Sequence, residues 1–424
     1  MEKQEIIVVG AGAAGLMAAY LLSKSGKRVT ILEARERIGG RIYSLNDPTL
    51  GYAESGAEFI HGDLTLTKQL LSEAGIGFSP SGGEMWEANG GQLRQSNWNI
   101  EGWDELMEAL SHLQKDVSIA EFLQEYFGDE KYAQMRDAVI RFVSGYDTAD
   151  PARASAFALR LEWQQDDEGA QYQIKGGYGE LMAFLEKQCK SNGVNFQLEK
   201  VVKHIDWTSE QVRLTTADKI GYLAVKVIIA LPLGVLKAGI DQPASVVFEP
   251  GLMDHSLAIQ QMGYGAIIKV LLRFKSDFWN SAKTAKIGFI LSGEAIPTWW
   301  TQYPAVSNLL TGWLGGLPAE AKKHLDENQL LELAIGSLAN IFNKPETELC
   351  EELVAWKVVN WTTDPYTLGS YAYDTVESHR ARILMQRPVA QKLYFAGEYL
   401  YEGPAMGTVE AALASGLAVA QQIS

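Results

Sequence analysis

The chain has 424 residues, 47% of them hydrophobic and 21% charged, and a formal net charge of −15. That length allows two or three domains with full-sized cores, the composition is globular rather than fibrous or disordered, and the acidic balance argues against nucleic acid as a partner. No apolar run reaches the ~18 residues of a membrane span, and Cys189 and Cys350 show neither a pairing pattern nor metal-ligand spacing.

The first predicted strand begins almost at once, so no signal or transit peptide is expected and a reducing cytoplasm is the expected location. An apolar run, Ile6 to Val9, leads into Gly10, Gly12 and Gly15. A helix-forming stretch continues to Gly26, and Val29 to Leu32 reads as a second buried strand that ends at Glu33. This is a βαβ unit with glycines where a dinucleotide requires them. Gly10 allows a tight turn, Gly12 lets the backbone approach a pyrophosphate, and Gly15 lets helix and strand pack closely. The helix N-terminus adds free N–H groups. Glu33 stands where a carboxylate accepts hydrogen bonds from a ribose, and it would repel a 2′-phosphate. Arg35, Gly39, Gly40 and Arg41 add a second glycine turn and fixed cations, which favours FAD over NAD.

Further along, residues 46–62 read as loop and short strand. From Leu64 to Gly128 the pattern is mostly helical, interrupted by paired glycines at 82–83 and 90–91 that predict a hairpin. Residues 130–150 and Tyr178–Ser191 predict helices. Val194–Leu198, Val201–Ile205, Val212–Thr215 and Val225–Ala230 predict short strands, followed by longer ones at Ile267–Phe274 and Leu309–Leu314. Asn328–Phe342 predicts a helix, Leu393–Ala396 a strand, and Gly407–Ile423 a helix of small residues that can pack closely and stabilise negative charge at its N-terminus. The expected class is α/β, with a Rossmann-type cofactor domain interleaved with a mixed-sheet and helical substrate domain. The cofactor domain is expected at about 1–62, 194–238 and 385–424, and the substrate domain at 63–193 and 239–384.

The segments ERIGGR (36–41), ESGAEFIHG (54–62), ALPLGVLK (230–237), MGYGAIIKVLLRF (262–274), WTTDPYTLGSY (361–371) and the terminal FAGE stretch occur in an order that resembles the flavin-containing amine oxidases. That family includes monoamine oxidases, polyamine oxidases and flavin histone demethylases. The resemblance implies a two-domain fold with FAD along the domain interface. It assigns Gly10, Gly12, Ala14, Gly15, Glu33, Ala34, Arg35, Gly40 and Arg41 to the adenosine and pyrophosphate half, with Val202 at the adenine. It assigns Gly56, Ala57, Glu58, Phe59, Trp361, Tyr366, Gly397, Glu398, Gly407, Thr408 and Val409 to the ribityl chain and isoalloxazine ring.

The same resemblance implies three catalytic residues. Lys269, by itself either a charge guarding a sheet edge or a buried amine, matches a lysine that holds a water against the flavin. Tyr371 matches an aromatic that flanks the substrate amine, and the position opposite it aligns with Pro404, leaving the aromatic cage incomplete. His61, by itself equally a surface-loop histidine, matches a histidine near flavin and substrate, where an imidazole of near-neutral pKa would hydrogen-bond an amine or select its protonation state. Ser370 replaces the cysteine that carries FAD in monoamine oxidases, which implies noncovalent FAD.

The implied reaction converts a small-molecule amine, with a polyamine weakly preferred, to an imine and then an aldehyde, while O2 is reduced to hydrogen peroxide. No metal is expected. Glu162, Asp166, Asp167 and Glu168 are either an anchor for a distal ammonium or a solvated loop, and Trp299 and Trp300 are either pocket wall or core. Rival readings are an L-amino acid oxidase, which needs a buried arginine from Arg94, Arg141, Arg153 or Arg160, a desaturase or porphyrinogen-type oxidase, and a slow flavoprotein scaffold that binds a partner.

Overall fold

In the computed structural model, which describes residues 5–96, 100–164, 171–281 and 284–424, the strand Glu5–Val9 occupies the middle of a five-stranded parallel sheet. Its neighbours are Arg28–Leu32 and Lys226–Ile229, with Asn195–Gln197 and Leu393–Phe395 at the edges. Both faces of this sheet are covered, which is why its strands are almost wholly apolar. Ile6 and Val8 pack with the helices Ala13–Lys24, Tyr178–Ser191 and Val409–Ile423. Ile7 and Val9 point the other way, toward the four-stranded layer that contains Val202–Asp206 and the helices Met253–Gln261 and Ser378–Met385.

The small residues of the last helix have a specific use. A Cβ on Gly416 would stand 2.3 Å from the Ala14 carbonyl oxygen, so the helix after the first glycine turn and the C-terminal helix touch backbone to backbone. Within the same packing, Ser415 Oγ accepts from Gly397 N–H at 3.0 Å.

A seven-stranded sheet forms the other large layer, in the order Leu353–Asn360, Ile267–Phe274, Leu309–Gly315, Thr298–Trp300, Ile287–Ser292, Glu84–Asn89, Gln92–Gln95. The predicted hairpin at Gly90-Gly91 is present and supplies the last two strands. Its strand Glu84–Asn89 also pairs in parallel with Ile287–Ser292, a partner some 200 residues away that local periodicity cannot reveal. The strand Ile267–Phe274 is paired on both sides, so Lys269 cannot guard an edge. Helices at Trp103–His112, Ile119–Tyr126, Ala133–Gly145 and Ala156–Gln164 enclose a separate core around Phe122 and Val139. Among the described residues no helix is long and apolar enough to cross a membrane.

Candidate active site

The site is built around the first glycine turn. Gly10 has φ +107°, and a Cβ on Gly15 would stand 2.0 Å from the Gly10 carbonyl oxygen. Gly15 therefore lies under the turn, supporting it, and does not line the cavity as the other cofactor-assigned residues do. Gly12, by contrast, has φ −75° and nothing within 4 Å of its would-be Cβ. It caps the helix Ala13–Lys24 and leaves open space over the helix N-terminus, where backbone N–H groups can meet an anion.

Glu33, at the end of the second strand, accepts from Ala11 N–H at 2.7 Å and from Arg35 N–H at 2.9 Å. Burial raises its pKa. The carboxylate is thus fixed at the cavity wall by backbone donors. Arg35 turns away from Glu33, donating to Asp364 and to Thr367 Oγ1, with its guanidinium 5.8 Å from the Trp361 ring and 5.2 Å from the Tyr366 ring. Arg41 pairs with Glu398 at 3.0 Å and also donates to the Ser370 carbonyl. These ion pairs tie the glycine turns to the 361–371 and 397–409 segments.

From the glycine turn the cavity runs past Gly56 and Trp361 to Lys269, Tyr371 and His61, with a total volume of about 2380 Å³. Pockets for one drug-sized ligand span ~300–1,000 Å³, so this space admits a dinucleotide and a further substrate. Lys269 is 1% exposed and donates to Glu58 Oε2 at 2.8 Å and to the Gly56 carbonyl at 3.3 Å. Glu58 Oε1 accepts from Trp300 Nε1, Gln302 Nε2 and Gln173 Nε2 at 3.1–3.3 Å. The adjacent tryptophans divide as strand alternation requires. Trp300 reaches the cavity, whereas Trp299 is wholly buried and donates to the Ile296 carbonyl.

Tyr371 lines the cavity with its hydroxyl bound to the Tyr146 carbonyl. A Cβ on Gly407 would stand 2.7 Å from the Tyr371 ring, so the residue packed on that ring is Gly407. Pro404 also lines the cavity. Thr408 caps the final helix, its Oγ1 accepting from Ala411 N–H.

His61 differs from the expectation of a near-neutral titrating group. Burial pushes its pKa down to about 4, which makes it a neutral imidazole at physiological pH. Its Nδ1 lies 3.4 Å from the Tyr146 hydroxyl and 3.1 Å from Gln171 Nε2, an amide group that can only donate, which places the ring proton on Nε2.

Asp147 and Glu162 face each other on the same cavity wall. Burial and the neighbouring Glu162 carboxylate raise the Asp147 pKa well above the usual range, and no donor group of the described residues reaches Asp147 Oδ2. Asp166, Asp167 and Glu168 lie outside the described residues. Of the arginines considered for a substrate carboxylate, Arg94, Arg141 and Arg153 are exposed, and Arg160 donates to the Leu110 and Leu113 carbonyls.

Besides Asp147, two carboxylates escaped the sequence reading. Glu410, in the first turn of the small-residue helix, accepts from Leu66 N–H, Thr67 N–H and Thr67 Oγ1 and so caps the helix Thr65–Ala74. Its only sequence signal is a lone acid among alanines. Glu54, next to Ser55 of the cavity wall, accepts from Ser44 and Tyr52 while its Oε2 has no partner among the described residues. Burial pushes its pKa up to about 7. A carboxyl whose folded pKa exceeds its unfolded value stabilises the fold fully below the unfolded pKa and loses that contribution as pH rises toward the folded one. Replacing Glu54 with Gln is therefore expected to gain roughly 2 kcal/mol of relative stability between pH 5 and pH 8. Urea unfolding of both proteins at the two pH values measures this, and an equal difference at both would refute it.

The model of the family described as flavin containing amine oxidoreductase matches residues 13–424. Human lysine-specific histone demethylase 2 is 26% identical over 439 residues, covering 93% of this chain and 50% of that protein. Polyamine oxidase 4 of Oryza sativa subsp. japonica is 26% identical, covering 98% of this chain and 88% of the relative. The chain thus spans about half the length of that demethylase. A solved putrescine oxidase with putrescine bound superposes with a TM-score of 0.81 at 21% identity, covering 99% of this chain and 98% of that one. Cyclohexylamine oxidase from Brevibacterium oxydans IH-35A gives 0.79 at 20%, with the same coverage. These likenesses establish the fold.

Proposed function

This chain belongs to the flavin-containing amine oxidoreductase family, and we propose that it oxidises the C–N bond of an amine bearing a second cationic group, such as a diamine or polyamine. The imine is hydrolysed to an aldehyde, and O2 is reduced to hydrogen peroxide. The observation that carries this reading is one continuous cavity linking Gly12 and Glu33 to Lys269, Tyr371 and His61.

Bound FAD supplies the two-electron oxidation of the amine. Glu33 would hold the adenosine ribose, and the Gly12 cradle with its helix N-terminus the pyrophosphate. Tyr371 presents an electron-rich ring to the amine, favouring partial positive charge on nitrogen. Its hydroxyl is committed to the Tyr146 carbonyl, so it orients the substrate and takes no proton. His61, neutral and bearing its proton on Nε2, offers a hydrogen bond to an uncharged amine without repelling it. The reactive amine must itself be neutral, so the rate is expected to rise with pH through the bound amine's pKa.

The Asp147 and Glu162 pair supports the second cationic group. Asp147, whose Oδ2 meets no donor among the described residues and whose charge the neighbouring Glu162 disfavours, gains a partner when a distal ammonium binds there. Asp147→Asn is expected to raise KM for a linear diamine about tenfold, the scale of one partly buried charge contact, and to leave KM for the monoamine of equal length unchanged. Oxygen uptake measures both, and equal effects on the two amines would reject the diamine preference.

A further inference from the structure

Lys269 is not a lone cation in this site. It shares an ion pair with Glu58, and both residues are almost wholly buried, at 1% and 8% exposure. A carboxylate that only filled space here would be costly, because burying an ion demands several compensating contacts. Glu58 has them: three neutral donors on Oε1 and the ammonium on Oε2. The Trp300 ring lies 5.1 Å from Lys269 Nζ and bonds Glu58 through its own indole N–H, so one side chain braces both partners. Of the three ammonium N–H groups, Gly56 and Glu58 accept two among the described residues, and Lys269 lines the cavity.

We propose that Glu58 is a positioning residue that fixes the Lys269 ammonium by this ion pair and cancels most of its charge. The isoalloxazine end of the cavity then faces a held N–H donor rather than an uncompensated cation. This rests on the reading of the chain as a flavoprotein but on no particular amine. Glu58 thereby sets how electron-accepting the cofactor is, because an uncompensated positive charge nearby favours addition of anions and electrons to the ring.

The test is sulfite, a small anion that adds to the oxidised flavin ring and abolishes its visible absorbance. It is titrated into the holoenzyme at pH 6, with no substrate present. Glu58→Gln keeps the size of the side chain and removes its charge. It is expected to tighten the sulfite Kd about tenfold, the effect of one exposed unit charge across several ångströms of protein. On a Lys269→Met background a carboxyl buried without its cation is held neutral, so the same substitution is expected to change the Kd by less than about twofold. Glu58→Asp, which restores the charge, is expected to stay near the wild-type value and serves as the deciding variant if Glu58→Gln does not fold. An unchanged Kd in Glu58→Gln, an equal change on the Lys269→Met background, or a tenfold change in Glu58→Asp would each overturn the proposal. Protein purified without visible flavin would instead overturn the flavoprotein reading, and the two failures are distinguishable before any sulfite is added.

Discussion

Lys269→Met is expected to lower turnover by about 10²-fold, the usual cost of losing one preorganised donor at a reacting centre, while FAD remains bound. Met preserves the length and the apolar stem of lysine, so the strand Ile267–Phe274 keeps its register with both neighbours. What disappears is the buried N–H donor held by Gly56 and Glu58. Glu58 then loses its only cationic partner among the described residues, and breaking a buried pair by removing one side costs about 3 kcal/mol or more. Its three donors to Oε1 remain and limit the damage to the fold. Stopped-flow reduction and reoxidation of the variant show which half of the cycle slows. Wild-type rates in both halves would remove Lys269 from the chemistry.

The glycine turn gives the second large effect, and it separates two roles within one motif. Gly12→Val is expected to abolish FAD binding while leaving the apoprotein's stability within about 1 kcal/mol of wild type. Its backbone is already extended, and its Cβ would enter empty space that only the cofactor needs. Gly15→Ala is expected to damage the fold itself, because the added methyl collides with the Gly10 carbonyl at 2.0 Å. A clash with rigid backbone cannot be relieved by a rotamer change. Flavin absorbance per protein and the apoprotein melting curve measure both. Equal loss of stability in the two variants would mean that the cradle is structural throughout.

Much of this was legible in the sequence because its physical signals are local. The glycine turn, the doubly covered strands and the helix Tyr178–Ser191 follow from spacing and apolar runs over ten to fifteen residues. Lys269 was ambiguous from its own strand, since a lysine among apolar residues fits an edge as well as an interior. Only the pairing with Leu309–Gly315 and Leu353–Asn360 decides it. Partners brought together from distant parts of the chain were illegible. Glu58 meets Lys269 across 211 residues and Glu410 meets Thr67 across 343. His61 was misjudged for the same reason, because the burial that lowers its pKa depends on which elements pack around it. Asp147 carried no local motif at all.

The most direct measurement is anaerobic bleaching of the bound flavin by a matched panel of spermine, spermidine, putrescine, aromatic monoamines and L-amino acids. Rapid loss of visible absorbance with the diamine and polyamines, slower with monoamines and absent with amino acids, is the expected result. Bound flavin that no amine bleaches would contradict amine oxidation by this chain.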